Sequence, residues 1–454
     1  MTGTVEIPFW LLALVLVLAA IAALDRIVGP SLRWFLRRRL ERLVTRLNTR
    51  LERPIQPFRL LRRQDMIVRL LHDPKVMAAV VDHAHATGVP ESVAFQEART
   101  YAREIVPGFS ALVYFGFATR AARRLSRALY RVRIGRIDSA LAAIDRHATV
   151  VFVMNHRSNM DYLLVTWLVA DRSALSYAVG EWARVWPLSR VIRATGAYFI
   201  RRGSRNALYR RVLARYVQMT AADGTTQAIF PEGGLSLDGR VGPAKMGLLS
   251  YIVQGFDAAA RDVVFVPVAI AYDRVLEDRL LVEAGQSGVR RFRARPGVIA
   301  AFVARVLWGK LRRTFPRFGT AAVAFGAPLS LRDWLAGGED TEALGAVLMA
   351  GVAASVPILP VPLVAAALAD GPVLRADLPG VLRAQIARLV ACGAVLKLPP
   401  GDGALAEGLR VLEARGIVAD GPFGLTAVAG QQALLAFHAA GVQQRLEISA
   451  PQRT

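Results

Sequence analysis

The spacing of apolar and polar positions changes character twice along the chain. Residues 31–130 carry apolar positions at helical intervals, as in QDMIVRLLHDPKVMAAVVDHA and ALVYFGFATRAARRLSRALY. From about residue 148, short β-rich runs take over: ATVVFVM, ALSYAV, AYFI, TQAIF and VVFVPVAIAY. Helical segments such as 182–194 and 204–222 separate them. That alternation predicts an α/β fold with a central, mostly parallel sheet flanked by helices. AAVAFG at 321–326 adds a candidate final strand. Pro267 inside VVFVPVAIAY predicts an edge strand or a strand start, because proline cannot donate to a ladder. After about residue 345 helical spacing returns.

The uncharged run 344–369 has Pro357, Pro360 and Pro362 at its centre, so it reads as two buried helices joined by an extended turn. EGLRVLEARGIVADGPFGLTAVAG reads as a helix and a small hairpin, a winged-helix-like pattern. Near the start, residues 7–24 (IPFWLLALVLVLAAIAAL) are uncharged over the minimum length for a bilayer crossing. Twelve arginines follow between Arg26 and Arg63, against Glu41 and Glu52. The expectation is a single-pass inner-membrane (cytoplasmic-membrane) protein with its catalytic part on the cytoplasmic side and a basic helix against anionic phospholipid. A buried helix with a solvated basic face is the alternative. The expected organisation is an anchor at 1–28, a basic helical region at 29–130, a catalytic α/β domain at 131–345 and a small C-terminal helical domain at 346–454.

Charge narrows the partners. The formal charge of +23 comes almost wholly from arginine, since only Lys75, Lys245, Lys310 and Lys397 are lysines. Such a surface suits nucleic acid, phospholipid headgroups or phosphorylated substrates. The basic runs lack interleaved aromatics, so nucleic acid is not the expected partner, although a membrane-tethered nucleic-acid binder is the rival outside enzymes. One cysteine, Cys392, excludes an internal disulfide framework and a four-cysteine zinc site. No metal cluster is evident; His83 and His85 are the one close histidine pair.

Four stretches carry candidate chemistry, each at the end of an expected strand, where open α/β sheets collect ligands. In VMNHRSNMDYLL, His156 and Asp161 would lie ~140° apart on one helix, so a turn must separate them. With His156 at the strand end and Asp161 in the first helical turn, capped by Ser158 or Asn159, the carboxylate can hold one imidazole nitrogen and leave the other as a base. A loop histidine beside a dipole-complementing aspartate is the bland reading. GAYFIRRGSR ends a strand with Arg201 and Arg202, a fork suited to phosphate or simply a solvated edge. FPEGGLSLDGR forms a tight loop whose N–H groups can cradle an anion, with Glu232 at its mouth and Lys245 beyond. FVPVAIAYDRV is the fourth.

Together these blocks resemble the glycerolipid acyltransferase superfamily: a His-x-x-x-x-Asp motif, a Gly-x-x-Phe-Ile-Arg motif, a Pro-Glu-Gly loop and a proline-bearing hydrophobic strand. HRSNMDYLL, GAYFIRR, PAKMGLLS, LLHDPKVMAAVV and ILPVPLVAAAL are similar to the bacterial membrane glycerol-3-phosphate acyltransferases, over roughly residues 60–370. The resemblance implies that His156 takes the proton from the sn-1 hydroxyl of glycerol 3-phosphate while that oxygen attacks a fatty acyl thioester, with Asp161 holding the imidazole. The donor would be acyl-CoA or acyl carrier protein, and no cofactor or metal is implied. Arg202, with Arg201 and Arg157 beside it, would meet the phosphate; Glu232 and Gly233 would shape the acceptor loop, with Ser236 as a candidate hydroxyl contact. The family pattern has arginines where Leu235 and Leu237 stand here. Arg240 and Lys245 are the candidate replacements. Lysophosphatidate and dihydroxyacetone phosphate are the alternative acceptors.

Overall fold

A computed structural model describes residues 63–135, 141–170, 172–180, 188–201, 203–289 and 317–448, with scattered positions within 8–16, 48–55 and 304–312. The chain divides into two units, Met1–Ile55 and Gln56–Thr454. Among the described residues, no helix is long and apolar enough to cross a membrane. That overturns the expected single-pass inner-membrane placement. Of the expected span 7–24, only Pro8, Phe9, Trp10, Leu12, Ala13 and Leu16 are described.

The second unit is built on a sheet of β1 (Arg131–Ile134), β2 (Thr149–Met154), β3 (Ser176–Val179), β4 (Tyr198–Phe199), β5 (Gln227–Ile229), β6 (Val263–Tyr272), β7 (Thr320–Phe325) and β8 (Leu329–Ser330). Its order is β1-β7-β6-β2-β5-β3-β4, with β8 also on β6. β2 runs parallel to β5 and β6, and β3 parallel to β4 and β5. β7 and β8 are antiparallel to β6. Every residue of β2 and β6 is buried, as continuous apolar runs covered on both faces should be.

β6 is not an edge strand. It lies between β2 and β7, with Pro267 opposite Val153. Proline is tolerated because of where the ladder breaks. The Pro267 carbonyl accepts from Gly326 N–H at 2.8 Å, between the end of β7 and the start of β8. A strand residue's N–H and C=O point to the same side, so the missing donor falls in that break.

Helices cover both faces. Pro74–Thr87 starts where Asp73 accepts from Lys75 N–H at 3.0 Å with proline in the first turn, and stops at Gly88 with φ of 69°. Its buried Val76 and Val80 join the main core with Val153, Phe265 and Val352. Met160–Val169 is apolar on nearly every side and almost wholly buried, the signature of a helix inside a core. Each fully buried aliphatic side chain contributes about 1.5–3 kcal/mol.

The uncharged run does form two helices, Thr341–Ala354 and Pro360–Ala369. Asp273, at the end of β6, accepts from Val361 N–H at 2.9 Å and Thr320 N–H at 2.6 Å, fixing the second helix to the sheet. That helix packs against Gly403–Ala414 and Gln432–Ile448 around a separate apolar cluster. Gly408 is needed there: a Cβ would sit 2.5 Å from the Pro360 carbonyl oxygen. An antiparallel hairpin of β9 (Val418–Gly421) and β10 (Gly424–Ala427) lies between those two helices in sequence.

Candidate active site

The parallel strands deliver their carboxyl ends to one edge of the sheet, and three of the four sequence blocks meet there. His156 follows β2, the Pro-Glu-Gly loop follows the adjacent β5, and Tyr272 ends the other neighbour, β6. Asn155 fixes the first of these. Its amide donates to the Ile270 carbonyl at 3.0 Å and accepts from Ile270 N–H at 2.8 Å, locking the exit of β2 to β6.

His156 and Asp161 are fully buried, and Nδ1 lies 3.0 Å from Asp161 Oδ2. The turn between them is held by the same carboxylate. Oδ2 accepts from the N–H groups of Arg157 (2.7 Å) and Ser158 (3.0 Å), while Oδ1 accepts from Tyr272 Oη at 2.7 Å. Burial raises the Tyr272 pKa well above its ordinary value, and the neighbouring Asp161 charge adds to it, so the phenol remains a donor. Ser158 Oγ accepts from Met160 N–H at 3.1 Å, and Asn159 occupies the cap position without a side-chain bond to the helix backbone. A carboxylate so supplied is fixed in place and orients the ring.

The other ring nitrogen faces differently. Nε2 has the Tyr162 hydroxyl at 3.4 Å, a long contact that a substrate hydroxyl can displace. Phe230 lies against the ring, with centroids 4.3 Å apart, and Tyr162 meets it edge-on at 5.3 Å. An imidazole held on one nitrogen and open on the other can accept a proton from an attacking hydroxyl.

The Pro-Glu-Gly loop grips the histidine backbone. His156 N–H donates to Glu232 Oε1 at 3.2 Å, and Ser236 N–H donates to the His156 carbonyl at 2.9 Å. Burial pushes Glu232 up to about 8, against the opposing pull of the His156 N–H and the Arg157 charge. At neutral pH it is therefore mostly protonated, which removes a negative charge from the mouth of the loop. Gly233 adopts φ of 69°, which glycine permits freely, and the Lys245 stem crosses it. A Cβ there would lie 2.9 Å from Lys245 Cδ and 3.4 Å from Nζ.

The cationic candidates divide. Arg157 points inward, donating to the Gly239 carbonyl and stacking over Phe437 at 5.1 Å; burial lowers its pKa. Arg201 is paired with Glu104 through Nε (2.9 Å) and Nη2 (2.7 Å) and sits over Tyr101 and Tyr209. Arg240 is paired with Glu447 of the C-terminal helix. Ser236 Oγ is used within the loop, donating to the Arg240 carbonyl at 2.8 Å and accepting from Gly239 N–H. Arg202 lies outside the described residues. Lys245 is exposed, and its ammonium forms no ion pair with any described residue. Among the described members of this set it alone is placed beside the loop with its charge uncommitted.

Two supports escaped sequence reasoning. Tyr272 carries a signal only in hindsight: a polar-tipped residue closing a long apolar strand beside the motif strand. Glu277 carries none. Its carboxylate accepts from Ser158 Oγ at 2.8 Å and Asn159 Nδ2 at 3.1 Å, bracing the turn from 119 and 118 residues away. Among the described residues no group of His, Cys, Asp or Glu is placed to hold a metal ion.

A family model described as Acyltransferase matches residues 138–271, which contain His156, Asp161, Glu232 and the strands beneath them. Curated proteins similar to this chain include glycerol-3-phosphate acyltransferases of three bacteria. That of Alteromonas mediterranea is 27% identical over 61% of this chain and 33% of its own length. That of Pasteurella multocida is 32% identical over 61% and 34%. That of Pseudomonas putida is 29% identical over 77% and 44%. The chain thus spans about a third to under a half of the length of these relatives. With the His156–Asp161 pair, the Pro-Glu-Gly loop and Tyr272 gathered at one sheet edge, residues 138–271 form an acyltransferase domain.

Proposed function

We propose that this chain transfers a fatty acyl group from a thioester to the sn-1 hydroxyl of glycerol 3-phosphate, giving lysophosphatidate. The observation that carries the reading is the buried His156–Asp161 pair, with Nδ1 on the carboxylate at 3.0 Å and the Tyr162 hydroxyl at a long 3.4 Å from Nε2. The acceptor oxygen attacks the thioester carbonyl while Nε2 takes its proton. Asp161 offsets the charge of the imidazolium so formed. Collapse of the tetrahedral intermediate expels the thiolate, which recovers that proton. No covalent enzyme intermediate is required.

Acceptor recognition rests on fewer groups than the sequence offered. Arg157, Arg201 and Arg240 are each engaged elsewhere. Lys245 beside Gly233, with Arg202, is our assignment for the phosphate. Protonated Glu232 leaves that phosphate unopposed. The named relatives are glycerol-3-phosphate acyltransferases, which supports the acceptor. The donor is acyl-CoA or acyl carrier protein.

The test is an acceptor panel on the purified chain with acyl-CoA and with acyl carrier protein thioester. Thioester release dependent on glycerol 3-phosphate is expected. Preference for lysophosphatidate or dihydroxyacetone phosphate in competition would reassign the acceptor. No acyl transfer to any of the three would overturn the reading.

A further inference from the structure

Two adjoining cavities, neither lined by His156, lie where the helix Gly403–Ala414 meets the β1–β7–β6 side of the sheet. The larger, about 480 Å³, is lined by Arg131, Arg274, Arg317, Arg410 and Arg415, with Glu407 the one acid among its described lining residues. The smaller, about 320 Å³, shares Arg274 and Arg415 and reaches Glu277. Five arginines from separate parts of the chain line the larger cavity.

Only two of the five are neutralised by described residues. Glu407 pairs with Arg131, and Asp278 pairs with Arg415 at 2.7 Å. Arg317 and Arg410 are exposed and make no ion pair with a described residue. Arg274 is the informative one. It is half-buried, its Nε is shut off from solvent with no hydrogen-bond partner, and its guanidinium lies 4.4 Å above the Phe318 ring. Burial lowers its pKa, and the nearby Arg415 charge lowers it further. Holding a cation half-buried, against another cation and with an unused donor, costs free energy that a bound anion would recover.

We propose that this arginine-lined cavity binds a phosphate ester, at a site separate from the acceptor pocket. Guanidinium forks match the several oxygens of a phosphate group better than a single-point anion. The volume lies in the range of small-molecule sites and admits a nucleotide-sized group. The same chemistry has two sources, a soluble phosphate ester or a phospholipid headgroup at the rim. Arg274 and Glu277 also place the cavity next to the catalytic turn, since Glu277 braces Ser158 and Asn159.

The test uses the purified full chain and does not depend on acyl transfer. Calorimetry with adenosine 3′,5′-bisphosphate probes the soluble source. Flotation with phosphatidylglycerol vesicles, against phosphatidylcholine vesicles, probes the headgroup. Salt-sensitive binding in either arm is expected and identifies the source. The double variant Arg317→Ala, Arg410→Ala changes exposed residues and should keep its fold, checked by circular dichroism. It should weaken that binding about tenfold or more. Arg274→Gln should do the same, as a second variant. Absence of binding in both arms, or binding that neither variant weakens, overturns the proposal.

Discussion

The two ends of the His156–Asp161 pair are built on opposite principles. At the carboxylate end, two backbone N–H groups, a tyrosine and the imidazole all point at two oxygens of a wholly buried side chain. At the Nε2 end there is one long contact and a wall of aromatic rings. The first end is held by four donors, three of them on one oxygen. The second is apolar, so an incoming hydroxyl meets little competition for the nitrogen. A general base needs both: a fixed orientation, and a lone pair that is not already taken.

The sharpest way to break this division is at the base. His156→Ala should reduce acyl transfer by ~10²–10⁴-fold, with melting behaviour close to wild type. Single-turnover thioester release measures it; near-normal turnover in a folded variant would end the mechanism. Asp161→Asn should lose about 10²-fold. The carbonyl of the substituted side chain can still hold Nδ1 if its amide faces Tyr272, but the charge that stabilises the imidazolium is gone. Loss from Asp161→Asn in KM alone, with kcat intact, would contradict an orienting and electrostatic role.

The cationic rim comes next in size. Lys245→Ala should raise KM for glycerol 3-phosphate roughly tenfold or more and leave kcat nearly unchanged, the pattern of a lost ground-state contact. Leu235→Arg should recover part of that loss. An unchanged KM in Lys245→Ala would return the phosphate to other residues. Tyr272→Phe should have a smaller effect on the rate, several-fold. It leaves one buried carboxylate oxygen without its donor, at a stability cost of about 1–3 kcal/mol measured by urea unfolding. A rate loss as large as that of Asp161→Asn would mean that the tyrosine does more than hold the carboxylate.

How much of this was legible depended on the distance over which each feature is specified. The strands and the turn after His156 were readable because apolar runs and local spacing determine them, and Asp161 sits where a five-residue gap requires a turn. Pro267 misled because the pattern shows a missing donor but not a partner strand that itself breaks off there. The fates of Arg157, Arg201 and Arg240 were hidden for a related reason. Their partners Phe437, Glu104 and Glu447 lie 97 to 280 positions away, and only the packing of the helices brings them together. An arginine at a strand end looks the same in sequence whether it faces a substrate or a glutamate.

The smallest effect on rate is expected from Glu232→Gln, and it tests the mouth of the loop. Burial raises this carboxyl to about 8 from an ordinary 4.5, so the folded chain holds a proton there that the unfolded chain releases. Between pH 4.5 and 8 the folded state thus binds more protons than the unfolded one, and stability falls as pH rises through that window. Gln mimics the protonated form: its carbonyl can still accept from His156 N–H, and it cannot ionise. At pH 7 the variant should keep its rate within about threefold. Its unfolding midpoint in urea should change less than that of wild type between pH 5 and pH 9, and the two curves should separate as pH rises. Parallel curves would mean that Glu232 is ionised throughout. A negative charge would then stand beside the bound phosphate, and Lys245 would have to offset it.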